Sequence, residues 1–230
     1  MAVTVETIER VPEQTIRELR EFPTTILSDA MEKSQTMHAE IKPVYPITRI
    51  AGSAITARSI VADYLTPVAA IDYALPGDVI VIDVRGYKDA AIWGELAAKS
   101  CRLRGITAVI IDGAVRDSDG IKELQVPHFA RAVTPNAGDC SVRGDINIPI
   151  QCGGVVVNPG DVVVADNDGV VVVPKAKAQQ IIAKAKKQVQ AEQQLSDLME
   201  NDGLSCFEAL TRVVGEITPT LGGDGEIEIF

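Results

Sequence analysis

The sequence of 230 residues is poor in the residue types that several functional classes require. It has two histidines, too few for a histidine-rich metal site, and its four cysteines show neither CxxC spacing nor a disulfide-dense pattern. Basic residues are also in deficit: 22 Lys and Arg face 32 Asp and Glu, and the net charge of −10 argues against a nucleic-acid or anionic-membrane partner. An acidic protein that handles acidic substrates therefore needs local positive charge or a metal.

Three further absences concern cellular location and cofactor. No uninterrupted apolar stretch reaches the roughly 18 residues of a membrane span. The first residues lack a basic segment followed by an apolar core, and no glycine-rich loop precedes an acidic strand end as a nucleotide cofactor would require. We therefore expect a cytoplasmic protein with reduced cysteines, no membrane partner and no nucleotide cofactor.

The sequence has an α/β pattern flanked by helical ends, and its length suits one domain with extensions. We predict a single α/β domain over 1–174, with a helical N-terminal segment, and a helical extension and tail over 175–230. Two similar segments, 75–83 and 158–166, each read as a Pro-Gly turn feeding a β-branched strand. The helix predicted over 175–199 has only a sparse apolar stripe, which is typical of a subunit interface.

The most informative stretch runs from Trp93 to Asp117. Gly94 opens a predicted helix over Glu95–Arg104, whose free backbone N–H groups and positive dipole end suit a carboxylate ligand. A short apolar run, Ala108–Asp112, then predicts a strand buried on both faces. In open α/β sheets ligands bind outside the carboxyl ends of strands, so the residues that follow this strand are candidates for chemistry.

Arg116 and Asp117 are the first charged side chains beyond that strand. Arginine offers a planar fork to a carboxylate or an enolate, while aspartate offers hard oxygen to a divalent cation. A plainer interpretation stays open: Asp117 caps a helix over Ser118–Leu124, and Arg116 makes a surface ion pair. Asp112 either orients Arg116 or closes a turn.

Other polar residues fit plain structural roles better than catalytic ones. His128 follows Pro127 at the start of a predicted strand and is expected to be a satisfied structural histidine. His38 lies in a polar loop, where a role facing substrate is the less favoured interpretation. The segment Asp166–Gly169 resembles a calcium loop but lacks the later glutamate, so we predict a hairpin turn.

Four segments together carry a family resemblance: WGELAA from Trp93, GAVRD from Gly113, PHFARAVTP from Pro127 and NPGDVVVADNDGVVVVP from Asn158. They resemble the family that contains 4-hydroxy-4-methyl-2-oxoglutarate aldolase and the regulator of ribonuclease E activity A. The resemblance covers roughly residues 25 to 195. It implies an α/β fold with a β/β/α swivelling-type core, packed sheets, outer helices and a C-terminal helical extension. It also implies a homotrimer or homohexamer with sites between subunits.

The aldolase branch implies roles for particular residues. Arg116 and Asp117 match its motif, in which the aspartate holds Mg²⁺ or Mn²⁺ largely through waters and the arginine contacts the keto acid. In that branch the turn after the tryptophan presents backbone N–H groups to the substrate carboxylate, which corresponds here to Gly94, Glu95, Leu96 and Ala97. A glutamate from a neighbouring subunit supports the metal's water shell, and spacing makes Glu192 the candidate.

The resemblance therefore implies a metal-dependent, class II-type aldolase, a carbon-carbon lyase. Its substrate would be a small 4-hydroxy-2-oxo acid cleaved to pyruvate, and decarboxylation of oxaloacetate would pass through the same enolate. The alternative is a non-catalytic regulator that binds a ribonuclease. Regulator-type members can lack the aspartate and are shorter, whereas this chain has Asp117 and the C-terminal extension.

Overall fold

The computed structural model describes residues 7–141 and 144–214. Contacts divide the chain into two compact units, Met1–Ala185 and Lys186–Phe230. The helices are α1 (Glu13–Glu21), α2 (Thr24–Ala30), α3 (Leu65–Ala69), α4 (Glu95–Leu103), α5 (Ser118–Leu124), α6 (Ala178–Asp202) and α7 (Cys206–Val214). Two short 3-10 turns, Ala70–Tyr73 and Lys175–Lys177, accompany them. Within the described ranges, every helix is too short or too polar to cross a lipid bilayer.

The described strands form one large sheet and one hairpin. They are β1 (Lys42–Pro43), β2 (Ile50–Arg58), β3 (Val79–Asp83), β4 (Ala91–Trp93), β5 (Ala108–Val115), β6 (His128–Val133), β7 (Asp145–Ile146), β8 (Ile150–Cys152), β9 (Val155–Val157), β10 (Val162–Ala165) and β11 (Val170–Val173). The large sheet has the order β1-β6-β5-β3-β2-β10-β11, with β4 on β5 and β7 on β2, while β8 and β9 pair with each other. Strands β2, β3, β5 and β6 run parallel, and β10 is antiparallel to both β2 and β11.

Strands β3 and β5 lie at the centre and are buried along their whole length. Their near-continuous apolar sequence follows from having both faces covered. The strand predicted over Ala108–Asp112 was expected to end at Asp112. That expectation was wrong, because β5 continues to Val115. Ala114 and Val115 stay in the sheet because β4 pairs with them on one side and β6 on the other.

Two core clusters explain the layering of the first unit. On one face of the central strands, Ile82 and Ile111 share a cluster with Ala98 of α4 and Ile121 of α5. On the other face, the core is closed by strands instead of helices. That second cluster joins residues of β3, β5 and β6 to the hairpin β8–β9 and to β10 and β11: Val79, Val81, Ala108, Ile110, Phe129, Ile150, Val157, Val163 and Val172.

Helices complete the outer side of β10 and β11. Leu19 of α1, Leu27 of α2 and Ile182 of α6 pack in a third cluster with Val164 and Val173. The strand layers therefore lie between two helical layers, and the large sheet curls towards a nearly closed barrel. The predicted α/β class, with packed sheets, outer helices and a C-terminal helix, is confirmed.

Both Pro-Gly turns launch strands as predicted, and the aspartate that follows each glycine fixes them. The Asp78 carboxylate accepts a hydrogen bond from the Leu75 N–H at 2.7 Å, and Asp161 accepts one from the Asn158 N–H at 2.9 Å. Each is a local side-chain bond to the backbone three residues earlier, which stabilises the turn. Strands β3 and β10 begin directly after them.

The described part of the second unit consists of the C-terminal portion of α6 and the whole of α7. Helix α7 begins with a capping box: the Ser205 hydroxyl accepts from the Glu208 N–H at 3.2 Å, and the Glu208 carboxylate accepts from the Ser205 N–H at 2.7 Å. Glu192 is exposed on α6 and accepts a hydrogen bond from Gln188 at 3.3 Å. The predicted tail beyond Val214 lies outside the described residues.

Candidate active site

Gly94 lies where β4 turns into α4. Its backbone is extended, with φ −159°, and its carbonyl accepts the N–H of Ala98 at 3.1 Å, the first bond of the helix. A Cβ at this position would lie 2.5 Å from Asp117 Oδ2 and 3.1 Å from Arg116 Cγ. The absence of a side chain at Gly94 therefore allows the Arg-Asp pair to approach the start of α4.

Arg116 and Asp117 follow the last residue of β5. The Arg116 N–H donates to the Trp93 carbonyl at 2.9 Å, which ties the end of β5 to the end of β4. Asp117 has a left-handed backbone, φ 57°, immediately before α5, and its carbonyl accepts the Ile121 N–H at 2.9 Å. A non-glycine residue in this region is uncommon and costs free energy, and such backbones are found disproportionately at functional sites.

The Asp117 carboxylate is turned away from its own helix. Asp117 holds the N-cap position of α5, as the plainer interpretation expected, but its side chain makes no capping hydrogen bond to that helix. Instead, Oδ2 accepts the backbone N–H of Glu95 at 3.1 Å, and the Nε of Arg116 lies 3.6 Å from the same oxygen. Both side chains of this ion pair are about half exposed, at 45% and 44%, which leaves them available to a ligand.

These groups line one cavity of about 460 Å³. The structure thus brings together all of the predicted site residues that lie in the first unit: Gly94, Glu95, Leu96, Ala97, Arg116 and Asp117. The Glu95 N–H binds Asp117, whereas the N–H groups of Leu96 and Ala97 make no hydrogen bond within residues 7–141 and 144–214 and so remain as donors at the start of α4. A carboxylate ligand could accept from both.

Sequence reasoning missed the residues that close the cavity from the other side. Tyr64, Val68 and Ala137 line it, and they come from segments well separated from α4 in sequence. The Tyr64 N–H donates to the Asp139 carbonyl at 2.9 Å, which joins the two outlying segments. The negative charge of the neighbouring Cys140 thiolate raises the pKa of the Tyr64 hydroxyl. No pattern in the sequence distinguishes this tyrosine from the other three.

Asp112 does not orient Arg116. Its carboxylate pairs with the Nε of Arg131 and accepts the Gly153 N–H at 2.8 Å. Arg131 also binds Glu40, and its Nη2 lies 3.0 Å from Nδ1 of His38. His38 is exposed and contacts Arg131 at the outer side of the buried Asp112–Arg131 pair, and it does not line the cavity that holds Arg116.

His128 is the structural histidine that the sequence indicated. It is fully buried; its Nε2 accepts the indole N–H of Trp93 at 2.9 Å, and its Nδ1–H donates to the Val126 carbonyl at 2.7 Å. Burial lowers the His128 pKa to about 4, which keeps the ring neutral. The predicted hairpin turn at 166–169 is also observed, closed by the Asp166 N–H donating to the Gly169 carbonyl at 3.0 Å.

Few side chains near the cavity can bind a cation. Within residues 7–141 and 144–214, no three His, Cys, Asp or Glu side chains are grouped so that they could hold a metal ion. Asp117 is the carboxylate at the mouth of the cavity whose oxygen is already oriented by a backbone donor. Glu192 lies in the second unit, and its role in a metal site stays a prediction.

Comparison with known proteins places the chain in a family. Residues 24–172 match the RraA-like family, described as Aldolase/RraA. The chain belongs to the RraA-like family. It is 37% identical over 194 residues to a protein of Halalkalibacterium halodurans named "Putative 4-hydroxy-4-methyl-2-oxoglutarate aldolase", covering 84% of this chain and 92% of the relative. It is 28% identical over 155 residues to the 4-hydroxy-4-methyl-2-oxoglutarate aldolase of Thermus thermophilus, covering 67% and 94%.

Two solved structures share the fold. An uncharacterized protein from Pseudomonas syringae superposes with a TM-score of 0.75 at 25% identity, covering 88% of this chain and 99% of the other. Streptomyces coelicolor RraAS2, described as an unusual member of the RNase ES inhibitor RraA protein family, gives a TM-score of 0.73 at 27% identity over 81% and 98%. The RraA-like family therefore includes relatives named as aldolases and relatives named as ribonuclease inhibitors.

Proposed function

We propose that the chain is a divalent-metal-dependent lyase that cleaves a 4-hydroxy-2-oxo acid, of the 4-hydroxy-4-methyl-2-oxoglutarate type, to pyruvate. One observation carries the proposal: Arg116, Asp117 and the free N–H groups of α4 line a single cavity. A ligand there would meet a cation, a carboxylate and two backbone donors within one small volume. The names of the aldolase relatives support the same reaction class.

The donor chemistry at Asp117 fits Mg²⁺ or Mn²⁺. A carboxylate is the hard oxygen ligand that these cations prefer, and Mg²⁺ commonly keeps several waters and binds through one or two carboxylates plus substrate. A single carboxylate without a three-residue group is consistent with that mode. When bound, the cation would supply Lewis-acid polarisation of the 2-oxo group and charge stabilisation of the enolate.

The chain's own residues orient the substrate and stabilise developing charge. We assign the N–H groups of Leu96 and Ala97 to the substrate carboxylate, where the dipole of α4 adds to the attraction. The Arg116 guanidinium then faces the 2-oxo oxygen and stabilises the negative charge that grows there. A preorganised donor of this kind contributes about 3 kcal/mol to lowering the barrier.

Cleavage of the C3–C4 bond requires neither a Schiff-base lysine nor a redox partner. The C3–C4 bond breaks as the 4-hydroxyl proton passes to a water molecule, so that C4 becomes a carbonyl carbon and the electron pair of the broken bond passes to the pyruvate enolate. Protonation of the enolate at C3 gives pyruvate. Loss of carbon dioxide from oxaloacetate leaves the same enolate, so the same residues would serve a decarboxylase.

We further propose that the working form is a homotrimer or homohexamer, with Glu192 of one subunit close to the Asp117 site of another. Two features support this. Glu192 is exposed on α6, and the buried residues of that helix lie in its first eight positions: Ala178, Ile181, Ile182 and Ala185. A helix of 25 residues with so little buried apolar surface has scope for packing against a second chain.

Pyruvate release tests the proposal. Protein stripped of metal with a chelator is assayed on 4-hydroxy-4-methyl-2-oxoglutarate and on oxaloacetate, with and without added Mg²⁺ or Mn²⁺. We expect metal-restored pyruvate formation well above the rate with free metal alone, and the two rates rank the activities. Absence of turnover on both compounds would refute this lyase assignment.

A second candidate follows from the relationship to the RraAS2 structure, whose name refers to ribonuclease inhibition. If the chain is a non-catalytic regulator, it binds a ribonuclease through surface contacts, and neither metal nor Asp117 is needed. Inhibition of an RNase E-type enzyme that survives chelation and an Asp117 substitution would favour this function.

A further inference from the structure

A second cavity, of about 370 Å³, lies at the opposite end of the parallel strands from Arg116 and Asp117. Its wall includes Asp78, which leads into β3, and Thr107, which precedes β5, so it lies at the amino ends of both strands. Helix α1 covers its other side. The catalytic proposal uses none of these residues.

The wall of this cavity is rich in arginine, although the protein has a net charge of −10. Three arginines line it, and two of them are paired: Arg10 binds Asp78 through two bonds of 2.8 and 2.7 Å, and Arg17 binds Glu13. The Arg20 guanidinium makes no ion pair within residues 7–141 and 144–214. Arg17 and Arg20 are three residues apart and so share one face of α1. The wall therefore has one uncompensated positive charge.

Ser53 is the second, independent indication of a ligand. Ser53 is 1% exposed and lines the cavity, yet its hydroxyl has no hydrogen-bond partner in the described part of the chain. Leaving a buried hydroxyl unsatisfied costs about 1–3 kcal/mol. The hydroxyl of Thr107 in the same wall also makes no bond with a described residue.

We propose that this cavity binds a small metabolite through a phosphate or carboxylate group. Arg20 supplies a planar fork of donors suited to such an oxyanion, and the Ser53 and Thr107 hydroxyls supply further donors. The volume suits a small organic anion. The site is independent of the lyase proposal, because it lies at the other end of β3 and β5.

Calorimetric titration of the full chain with inorganic phosphate and, separately, with succinate tests the site. We expect saturable binding of at least one anion, and the preferred one tells whether the natural ligand is a phosphate ester or a dicarboxylate. Arg20→Gln and Ser53→Ala should each weaken binding at least tenfold. Ser53→Ala should not lower thermal stability, because the hydroxyl has no partner to lose.

Two control variants make the result decisive. Arg102→Gln removes one positive charge from the exposed face of α4, away from this cavity. It should leave the affinity unchanged, and so controls for the change in net charge. Arg116→Gln shows whether the measured anion binds instead in the lyase cavity, which Arg116 lines. The proposal is overturned by absence of saturable binding, by equal weakening in Arg102→Gln, or by loss in Arg116→Gln with retention in Arg20→Gln.

Discussion

The carboxylate of Asp117 accepts the backbone N–H of Glu95 at 3.1 Å, although Asp117 is the residue that immediately precedes α5. Helix α4 therefore holds the aspartate through one of its own unsatisfied N–H groups, and the next two remain for a ligand. The same bond relates residues 22 positions apart, so the site depends on how β4 and β5 end side by side.

Substitution of Asp117 should strongly lower turnover without unfolding the protein. Asp117→Asn keeps the size of the side chain but removes the charge that holds a cation, so we expect kcat/KM to fall on the order of 100-fold or more. The matched control is Asp119→Asn. Asp119 is an exposed aspartate in the first turn of α5, two residues after Asp117, and its variant should stay near the wild-type rate. Equal pyruvate release by both variants would contradict the assigned role.

Gly94→Ala tests the close approach at the start of α4. The backbone of Gly94 is one that alanine adopts readily, so thermal stability should change little. The new Cβ would lie 2.5 Å from Asp117 Oδ2, and the carboxylate must move. Because small misplacements in a reacting site are expensive, we expect kcat/KM to fall on the order of 100-fold. A stable variant with full activity would show that Asp117 need not contact α4.

The buried His128 should make stability depend on pH. Its folded-state pKa of about 4 lies below the ordinary value of 6.5, so between these values the unfolded chain binds a proton that the folded chain does not. Stability should therefore be highest above pH 6.5 and fall as the pH drops towards 4, by up to about 3 kcal/mol. Urea unfolding at several pH values measures this. His128→Gln should flatten the dependence, whereas His38→Gln, on the other histidine, should retain it.

The Asp112–Arg131 pair should be structural. Its side chains are 4% and 9% exposed, and breaking a buried pair from one side leaves an uncompensated charge. We expect Asp112→Asn to lower the free energy of unfolding by about 3 kcal/mol. Asp72→Asn, which breaks the exposed pair with Arg104, should leave it nearly unchanged. If the two variants unfold at the same urea concentration, the buried Asp112–Arg131 pair contributes no more to stability than the exposed one.

The main strands and the start of the site could be predicted because their signals are local. The apolar runs of β3 and β5, the two Pro-Gly-Asp turns and the Arg-Asp pair each lie within a few residues of sequence. The end of β5 was predicted too early because pairing with β4 and β6, and not local composition, keeps Val115 in the sheet.

Long-range partners account for the remainder of the site. Tyr64 reaches the cavity through backbone bonding to a segment 75 residues later, and Asp112 finds Arg131 across two neighbouring strands. Neither pairing follows from composition or spacing, because many charged residues compete as partners for each position. The family resemblance adds the metal and the assembly as expectations, which rest on relatives and not on contacts within this chain.

Glu192 offers a direct test of a site shared between subunits. If one subunit supplies Asp117 and another supplies Glu192, Glu192→Gln should weaken metal affinity and turnover, whereas Glu200→Gln, an exposed glutamate later in α6, should not. Subunits carrying Asp117→Asn and Glu192→Gln would each be impaired alone. Mixed oligomers, formed by subunit exchange, would then contain some sites with both native carboxylates, and activity should return in part. Full activity of Glu192→Gln would remove this residue from the site, and absence of recovery on mixing would place both carboxylates in one subunit.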